Sequence, residues 1–453
     1  MPAASAEPSA AVSETPRRLA FRIEERPRTA WESLLYGWQH TLVDISPFVL
    51  PLAVAAALGL APGEQAQLIN AGLVAMGLAT LVQTILGNRL PIIQGPSATV
   101  TGTLVSVAQQ SGGPAMWGAA FVGAILELLL GATRLVGALR RLLPPAVSSV
   151  VILAIAASLG QFAARLTFGD GAGRNFLFAG AAIVSILLFQ TLGARLWGEI
   201  LARGAIFLTI WLIGLGLGSA LGAVDWSLVA AKPWLGLPSL FPWGGPGFGW
   251  ELVPAAVIGV AIGYLGSVVE SLGDYAATCA VADEPYQVKH MNRGIFAEGL
   301  GCLVALSVGG LPVTSYTQNI GVIATTRVAS RFVVQVAAGI LILYGLCPKF
   351  GALLVALPRP VLGGVFLLVC GLIAAAGLSL LANVESTPAN SLVIGIPLVA
   401  ALAIPATVRA QLPQWLEAQH PLVELLLTNS VVLAVVLGVV LNLVLNVWLG
   451  EAE

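Results

Sequence analysis

Three carboxylates and one amide pair carry most of the chemistry available to this sequence. Glu270, Asp274 and Glu298 stand inside otherwise apolar segments. Gln318-Asn319-Ile320-Gly321 follows Leu311-Pro312, where an apolar run is interrupted by polar residues. An acid at membrane depth is costly to desolvate and marks a solute pathway or a proton site. A broken intramembrane helix is tolerated only where it is packed in protein or lines a cavity. Asp274 lies one turn after Glu270 on the same helical face, and Glu298 opens the next apolar segment. Both signals fall between Ala261 and Arg331, so the functional site is expected there.

The surroundings of these residues set the class of protein. Of 453 residues, 57% are hydrophobic and 9% are charged, and the mean hydropathy is +0.91. Soluble domains carry roughly 25% charged residues, so the chain reads as an all-α, multi-pass membrane protein. The four cysteines, Cys279, Cys302, Cys347 and Cys370, show no CxxC spacing, which argues against a zinc site or a disulfide framework. No HExxH, GxSxG or paired metal ligands occur, so an enzyme is not expected. Neither a catalytic group nor a metal, cofactor or nucleic-acid partner is expected; the lipid bilayer is.

A span needs about 20 apolar residues. On that rule residues 1–34 form a polar, disordered cytoplasmic tail, and residues 35–223 hold seven spans. Residues 224–251 form an extracytoplasmic loop rich in Trp and Pro, with Trp226, Trp234, Trp243 and Trp250 suited to a membrane interface. Residues 252–449 hold seven more spans, and residues 450–453 are a cytoplasmic end. Spans 3 (91–108) and 10 (311–326) are short and rich in Gly, Ser, Thr and Pro, and are expected to be discontinuous. Span 11 is expected at 328–347. With the N-terminus inside, only Arg165, Arg174, Lys232, Lys349, Arg359 and Arg409 of the 21 Lys and Arg residues face outward. That bias puts both termini in the cytoplasm.

An internal repeat accompanies the fourteen spans. Leu90-Pro91 opens span 3 and Leu143-Pro144-Pro145-Ala146-Val147 opens span 5; Leu311-Pro312 opens span 10 and Leu357-Pro358-Arg359-Pro360-Val361 opens span 12. Leu-Pro is also common at span starts in general. With an odd number of spans per unit, the second copy must insert upside down, and substrate is expected where the two broken spans meet.

The same residues resemble the nucleobase–ascorbate transporter family. Its signature, Gln, Glu or Pro followed by Asn-x-Gly-x-x-x-x-Thr, is matched by Gln318-Asn319-Ile320-Gly321-Val322-Ile323-Ala324-Thr325-Thr326, with Arg327 next. Glu270-Ser271-Leu272-Gly273-Asp274 resembles the family's eighth span, Gln39-His40 its first and Gln94-Gly95-Pro96-Ser97 its third. The resemblance runs from about residue 35 to 445. It implies two inverted seven-span repeats forming core and gate domains, a homodimer in the plasma (inner) membrane, and ion-coupled uptake of a small-molecule nucleobase.

The resemblance also assigns roles. Glu270 aligns with the glutamate that holds the base, and a carboxylate can accept two parallel N–H bonds from a dione edge. Gln318 offers a donor beside an acceptor, and Tyr316 could stack on the base or only pack. Main-chain N–H groups near Ser97-Ala98 and Thr317-Gln318 should face the cavity, where helix dipoles favour a carbonyl. Glu298, Asp274 and His40 are candidates for the coupling proton. Asn319 and Gly321 support the loop. Gln318 and Asp274 resemble the purine branch and point to xanthine or uric acid with H+, ahead of uracil or another nucleobase. Asn292-Arg293-Gly294-Ile295-Phe296-Ala297-Glu298-Gly299 looks more like the sodium-coupled animal branch, which leaves a Na+-coupled ascorbate-like carrier open. An anion transporter of the same architecture is disfavoured by the acids. Two departures stand out. Ala98 replaces a common aromatic, and Asp44 stands where an apolar residue is usual, free to pair with His40, bind a cation or face water.

Overall fold

The computed structural model describes residues 19–43, 49–137, 143–169, 172–197, 204–237, 249–382 and 384–448. The architecture is helical, with one short pair of strands. The first half runs α1 (Ala30–Val43), α2 (Val49–Ala57), α3 (Pro62–Ile85), β1 (Gln94–Pro96), α4 (Ala98–Ala132), α5 (Pro145–Phe168), α6 (Ala172–Leu188) and α7 (Ala205–Ala220). The second half runs α8 (Pro254–Val281), α9 (Val288–Ser307), β2 (Val313–Ser315), α10 (Thr317–Thr326), α11 (Arg331–Gly345), α12 (Pro348–Ala356), α13 (Arg359–Leu381), α14 (Pro388–Gln411), α15 (Pro421–Thr428) and α16 (Ser430–Trp448). Among the described residues eight helices are long and apolar enough to cross a membrane, or nine when the bent pair α11–α12 is taken as one.

The helices sort into two groups. α3 and α4 pack against α8 and α9, and α11 packs against α1 and α3. α5 packs against α13, α14 and α16, while α6 packs against α7 and α13. The first group holds both strands. β1 and β2 pair antiparallel, with Gln94 opposite Ser315, Gly95 opposite Thr314 and Pro96 opposite Val313. This pairing lets non-helical backbone exist at depth, because each strand supplies the other's hydrogen-bond partners. Two more main-chain bonds extend it, Ser97 N–H to Pro312 O at 2.9 Å and Tyr316 N–H to Ile93 O at 3.1 Å.

Glycines set how closely the first group packs. A β-carbon at Gly263 would lie 2.6 Å from Thr103 Oγ1, and one at Gly266 would lie 2.5 Å from Thr99 Cγ2. α8 therefore crosses the first turns of α4 at near-backbone distance. Lower on α4, a β-carbon at Gly131 would meet Phe296 N at 2.2 Å, and one at Gly299 would meet Leu128 N at 2.3 Å.

Several expectations need correction. Residues 19–29 do not behave as free tail. Ala20 N–H donates to Arg327 O at 2.8 Å, Ala329 N–H to Phe21 O at 2.9 Å and Arg331 N–H to Ile23 O at 3.0 Å. Arg331 also pairs with Glu24 at 2.6 Å. Residues 1–18 lie outside the described residues. Spans 3 and 4 are one run of helix broken at Gly112, whose φ of 80° no other residue type adopts readily. Span 11 does not stop at its expected end. It bends by 74° after Gly345 into α12, where Pro348 cannot continue the helix. The expected loop 224–251 contains a short helix, Trp226–Ala230. Residues 44–48, between α1 and α2, lie outside the described residues.

The packing at Gly299 is open to test. Gly299→Ala is expected to cost about 1–3 kcal/mol through overpacking and to lower the Tm of the purified protein. Gly339→Ala, whose β-carbon meets nothing within 4 Å, is expected to change stability by no more than about 0.5 kcal/mol. Equal Tm values for the two variants would mean that the α4–α9 contact is looser than described.

Candidate functional site

The site is built where α8 runs past the strand pair. Because β1 and β2 are antiparallel, α4 and α10 leave the pair from its opposite ends. Glu270 and Asp274 are one turn apart on α8, a rise of about 6 Å. That matches the length of two strand residues, so each acid meets the start of a different helix. Glu270 Oε2 accepts from Thr99 Oγ1 at 3.1 Å, in the first turn of α4. Asp274 Oδ1 accepts from Thr317 Oγ1 at 2.8 Å, at the first residue of α10, and its Oδ2 from Ser315 Oγ at 3.0 Å. A negative charge is favourable at a helix N-terminus, where unpaired N–H groups carry partial positive charge.

Glu270 and Asp274 differ in what is left over. Asp274 is 5% exposed, with both oxygens engaged. Glu270 is half-buried, and only Oε2 has a side-chain donor among the described residues. Gln318 is half-buried and Thr317 is exposed, so the amide of Gln318 and the free oxygen of Glu270 are available to a solute. Ala98 is half-buried at the start of α4. Ser97 caps that helix, accepting from Val100 N–H at 3.2 Å, and its hydroxyl donates to Ser267 Oγ at 3.1 Å. Ser97 is therefore a helix cap, tied to α8 one turn before Glu270. Gly321 is exposed with open space around it.

Glu298 lies deeper, with no exposed surface. Ser271 Oγ is 2.7 and 2.8 Å from its two oxygens, Tyr275 OH donates to Oε2 at 2.7 Å, and Thr314 Oγ1 to Oε1 at 3.3 Å. Gln83 Nε2 donates to the Tyr275 hydroxyl at 2.9 Å. Ser315 Oγ stands 2.9 Å from Ser271 Oγ. The result is a continuous polar thread from Gln83 through Tyr275, Glu298, Ser271 and Ser315 to Asp274 and Thr317. The three acids singled out from sequence are thus joined or adjacent in space.

Other expected residues fall elsewhere. Tyr316 is not a stacking platform. Its ring covers Gly95, where a β-carbon would lie 2.4 Å from it, and its hydroxyl donates to Pro96 O at 2.9 Å. His40 does not reach the acids. It is 1% exposed and sits with its Nδ1 3.1 Å from Asn319 Nδ2, so it ties α1 to the signature asparagine. Asn319 is fully buried. Asp44 lies outside the described residues.

One acid escaped the sequence reading. Glu127 is 2% exposed, in the apolar run Ala124-Ile125-Leu126-Glu127-Leu128-Leu129-Leu130 of α4. The rule that singles out Glu270 applies to it equally. Thr99, Ser271, Tyr275 and Thr314 carry no signal of their own, since hydroxyls are ordinary in membrane helices.

Two cavities, of about 470 and 250 Å³, are lined by other residues. The larger meets Gln109, Phe162, Arg165, Asn175 and Arg359, the smaller Glu24, Asn88, Arg89, Lys289, His290 and Arg293. Among the described residues no group of three or more His, Cys, Asp or Glu could hold a metal ion.

Comparison with known proteins agrees with this arrangement. The uric acid permease PucK of Bacillus subtilis is 32% identical over 381 residues, covering 81% of this chain and 85% of that protein. The xanthine permease XanQ of Escherichia coli is 32% identical over 393 residues, covering 80% of this chain and 81% of that protein. Solute carrier family 23 member 1 of Rattus norvegicus is 31% identical over 456 residues, with 85% and 73% covered. Among solved structures, SLC26A9 superposes with a TM-score of 0.66 at 12% identity over 92% of this chain and 65% of that one. The transmembrane domain of the cyanobacterial bicarbonate transporter BicA does so with a TM-score of 0.57 at 13% identity over 93% and 99%. At such identities the likeness is one of fold. Residues 31–410 match the Xan_ur_permease model, described as a permease family. The chain is therefore a transporter and not an enzyme, and it belongs to this permease family, the nucleobase–ascorbate transporters.

Proposed function

We propose that the protein imports a purine nucleobase, xanthine or uric acid, by proton symport. The observation that carries this reading is the pairing of a half-buried carboxylate, Glu270, with a half-buried amide, Gln318, at adjoining helix starts. Ring N–H groups of a dione would donate to the free oxygen of Glu270. Gln318 would meet an adjacent C=O and N–H pair. The relatives named for uric acid and xanthine support the purine. Glu298, fully buried among hydroxyls, is the coupling acid in this reading, and Asp274 orders the start of α10. The same reading places the protein as a homodimer of fourteen-span subunits in the plasma (inner) membrane, with both termini cytoplasmic.

The acids also separate this reading from anion transport, which the fold alone would allow. Among the described residues no basic side chain is hydrogen-bonded to Glu270, Asp274 or Glu298. A fixed carboxylate facing the solute would repel a small inorganic anion.

Three outcomes are expected. Glu270→Gln removes the charge but keeps the shape. Loss of charge-assisted bonds costs about 2–5 kcal/mol, so the rise in Tm given by xanthine or uric acid should vanish at concentrations that saturate the unaltered protein. An undiminished rise would remove Glu270 from the site. Gln318→Glu should shift uptake from purines toward uracil, and an unaltered substrate profile would deny Gln318 a selective role. Uptake into proteoliposomes should follow an imposed pH gradient and collapse with a protonophore. Uptake that needs sodium and survives the protonophore would overturn proton symport.

A further inference from the structure

Glu127 has no part in the substrate site described above, yet it is among the most deeply buried acids in the chain. The glycines at 131 and 299 bring α4 and α9 together backbone to backbone. That contact sets Glu127, next to Leu128, against the turn of α9 that carries Glu298 and Cys302, close enough for the two carboxyl groups to act on each other. The Cys302 thiol donates toward Glu127 Oε2 at 3.5 Å. Glu127 Oε1 is wholly buried and has no hydrogen-bond partner among the described residues.

The other titratable groups acting on the pair are Tyr264, Glu270, Asp274 and Tyr275 from α8 and Cys302 from α9. None of them carries positive charge. Tyr264 OH donates to Ala120 O at 2.9 Å, and Tyr275 OH is committed to Glu298. No donor remains for Glu127 Oε1. Two ionised carboxylates in contact and out of water repel strongly. A buried acceptor without a donor adds a further cost.

One proton removes both penalties. An O–H on either carboxyl donates to the other, satisfies Oε1 and leaves a single negative charge. The hydroxyls of Ser271, Tyr275 and Thr314 already surround Glu298 to solvate that charge. We infer that Glu127 and Glu298 form one proton-binding site, holding a single shared proton at the seam of α4 and α9. The inference rests on, and deepens, the assignment of Glu298 as the coupling acid: the ligand is a proton, and Glu127 is the half of its site that lies away from the substrate. Binding takes one proton from solution and breaks no covalent bond.

The test reads the proton itself. Infrared spectra of the purified protein at pH 7 report the C=O stretch of protonated carboxyl groups. Glu127→Gln should remove one such band, because the amide donates to Glu298 and leaves it ionised. Glu298→Gln should remove the same band. The double variant should lose no more than either single variant, since one proton serves both acids. A band unchanged in Glu127→Gln, or losses that add in the double variant, would overturn the shared site. If Glu127→Gln does not accumulate as folded protein, Glu127→Asp withdraws the acid by one methylene and should shift the band; an unshifted band would equally overturn it. The spectra need no substrate. A shared band in a protein that fails to couple uptake to protons sinks the symport reading alone, and coupled uptake with an unaltered band sinks the shared site alone.

Discussion

The centre of this protein depends on two helices beginning in a place without water. Such a beginning leaves main-chain N–H groups unsatisfied, and hydrocarbon supplies nothing to pair with them. The chain solves the problem by pairing the three residues before α4 with those before α10. The strands satisfy each other, and the two helix starts are left facing side chains instead of lipid. Everything polar in the interior follows. α8 must pass close enough to present acids to both starts, and it does so because Gly263 and Gly266 let it lie against α4. A bulkier residue at either position would carry Glu270 away from Thr99.

Within that frame the carboxyl groups are graded by what surrounds them. Glu270 keeps an uncommitted oxygen and some exposure, which is what a solute requires. Asp274 spends both oxygens on Thr317 and Ser315 and fixes the start of α10. Glu298 is enclosed by three hydroxyl donors and sees no solvent. A solute held at Glu270 and Gln318 could not touch Glu298, whereas a proton could be passed to it along hydroxyl groups. Position along α8 and α9, rather than residue type, distinguishes the three acids.

Much of this was legible in the sequence because it rests on composition against background. Acids in apolar runs, a Leu-Pro before each polar interruption and the signature around Gln318 are all local, and the strand pair and its flanking helices fall where those signals stand. What was not legible depends on contacts between distant segments. Tyr316 looked free to stack because nothing in its neighbourhood says that Gly95, far back in the chain, leaves a space its ring fills. His40 could carry a proton or hold a structural hydrogen bond, and nothing beside it in the sequence points to Asn319, whose Nδ2 lies 3.1 Å from its Nδ1. Residues 19–29 read as tail by their charge, yet Phe21 and Ile23 alternate with arginines and pair with the segment after α10. Glu127 is a different case. The signal was present, and only the weight placed on the second half of the chain hid it.

The hydroxyl thread between Glu298 and Asp274 has a property that follows from counting hydrogens. Ser271 and Ser315 each own one hydroxyl hydrogen. Ser271 Oγ lies 2.7 Å from Glu298 Oε1 and 2.9 Å from Ser315 Oγ; Ser315 Oγ lies 3.0 Å from Asp274 Oδ2. When Glu298 is ionised, Ser271 can donate to it and accept from Ser315 or from Thr314 Oγ1, 2.9 Å away. Ser315 can satisfy Ser271 or Asp274, but not both. When Glu298 carries the proton, Ser271 is released, and the hydrogen of Ser315 is free to serve Asp274. Asp274 holds the first residue of α10, next to Gln318. On the proposed proton site, the charge at the α4–α9 seam would reach the start of α10 through these hydroxyl hydrogens, with no heavy atom required to move. The buried placement of the Glu127–Glu298 pair suits this purpose. It keeps water, which would supply hydrogens to either serine and uncouple them, away from the thread.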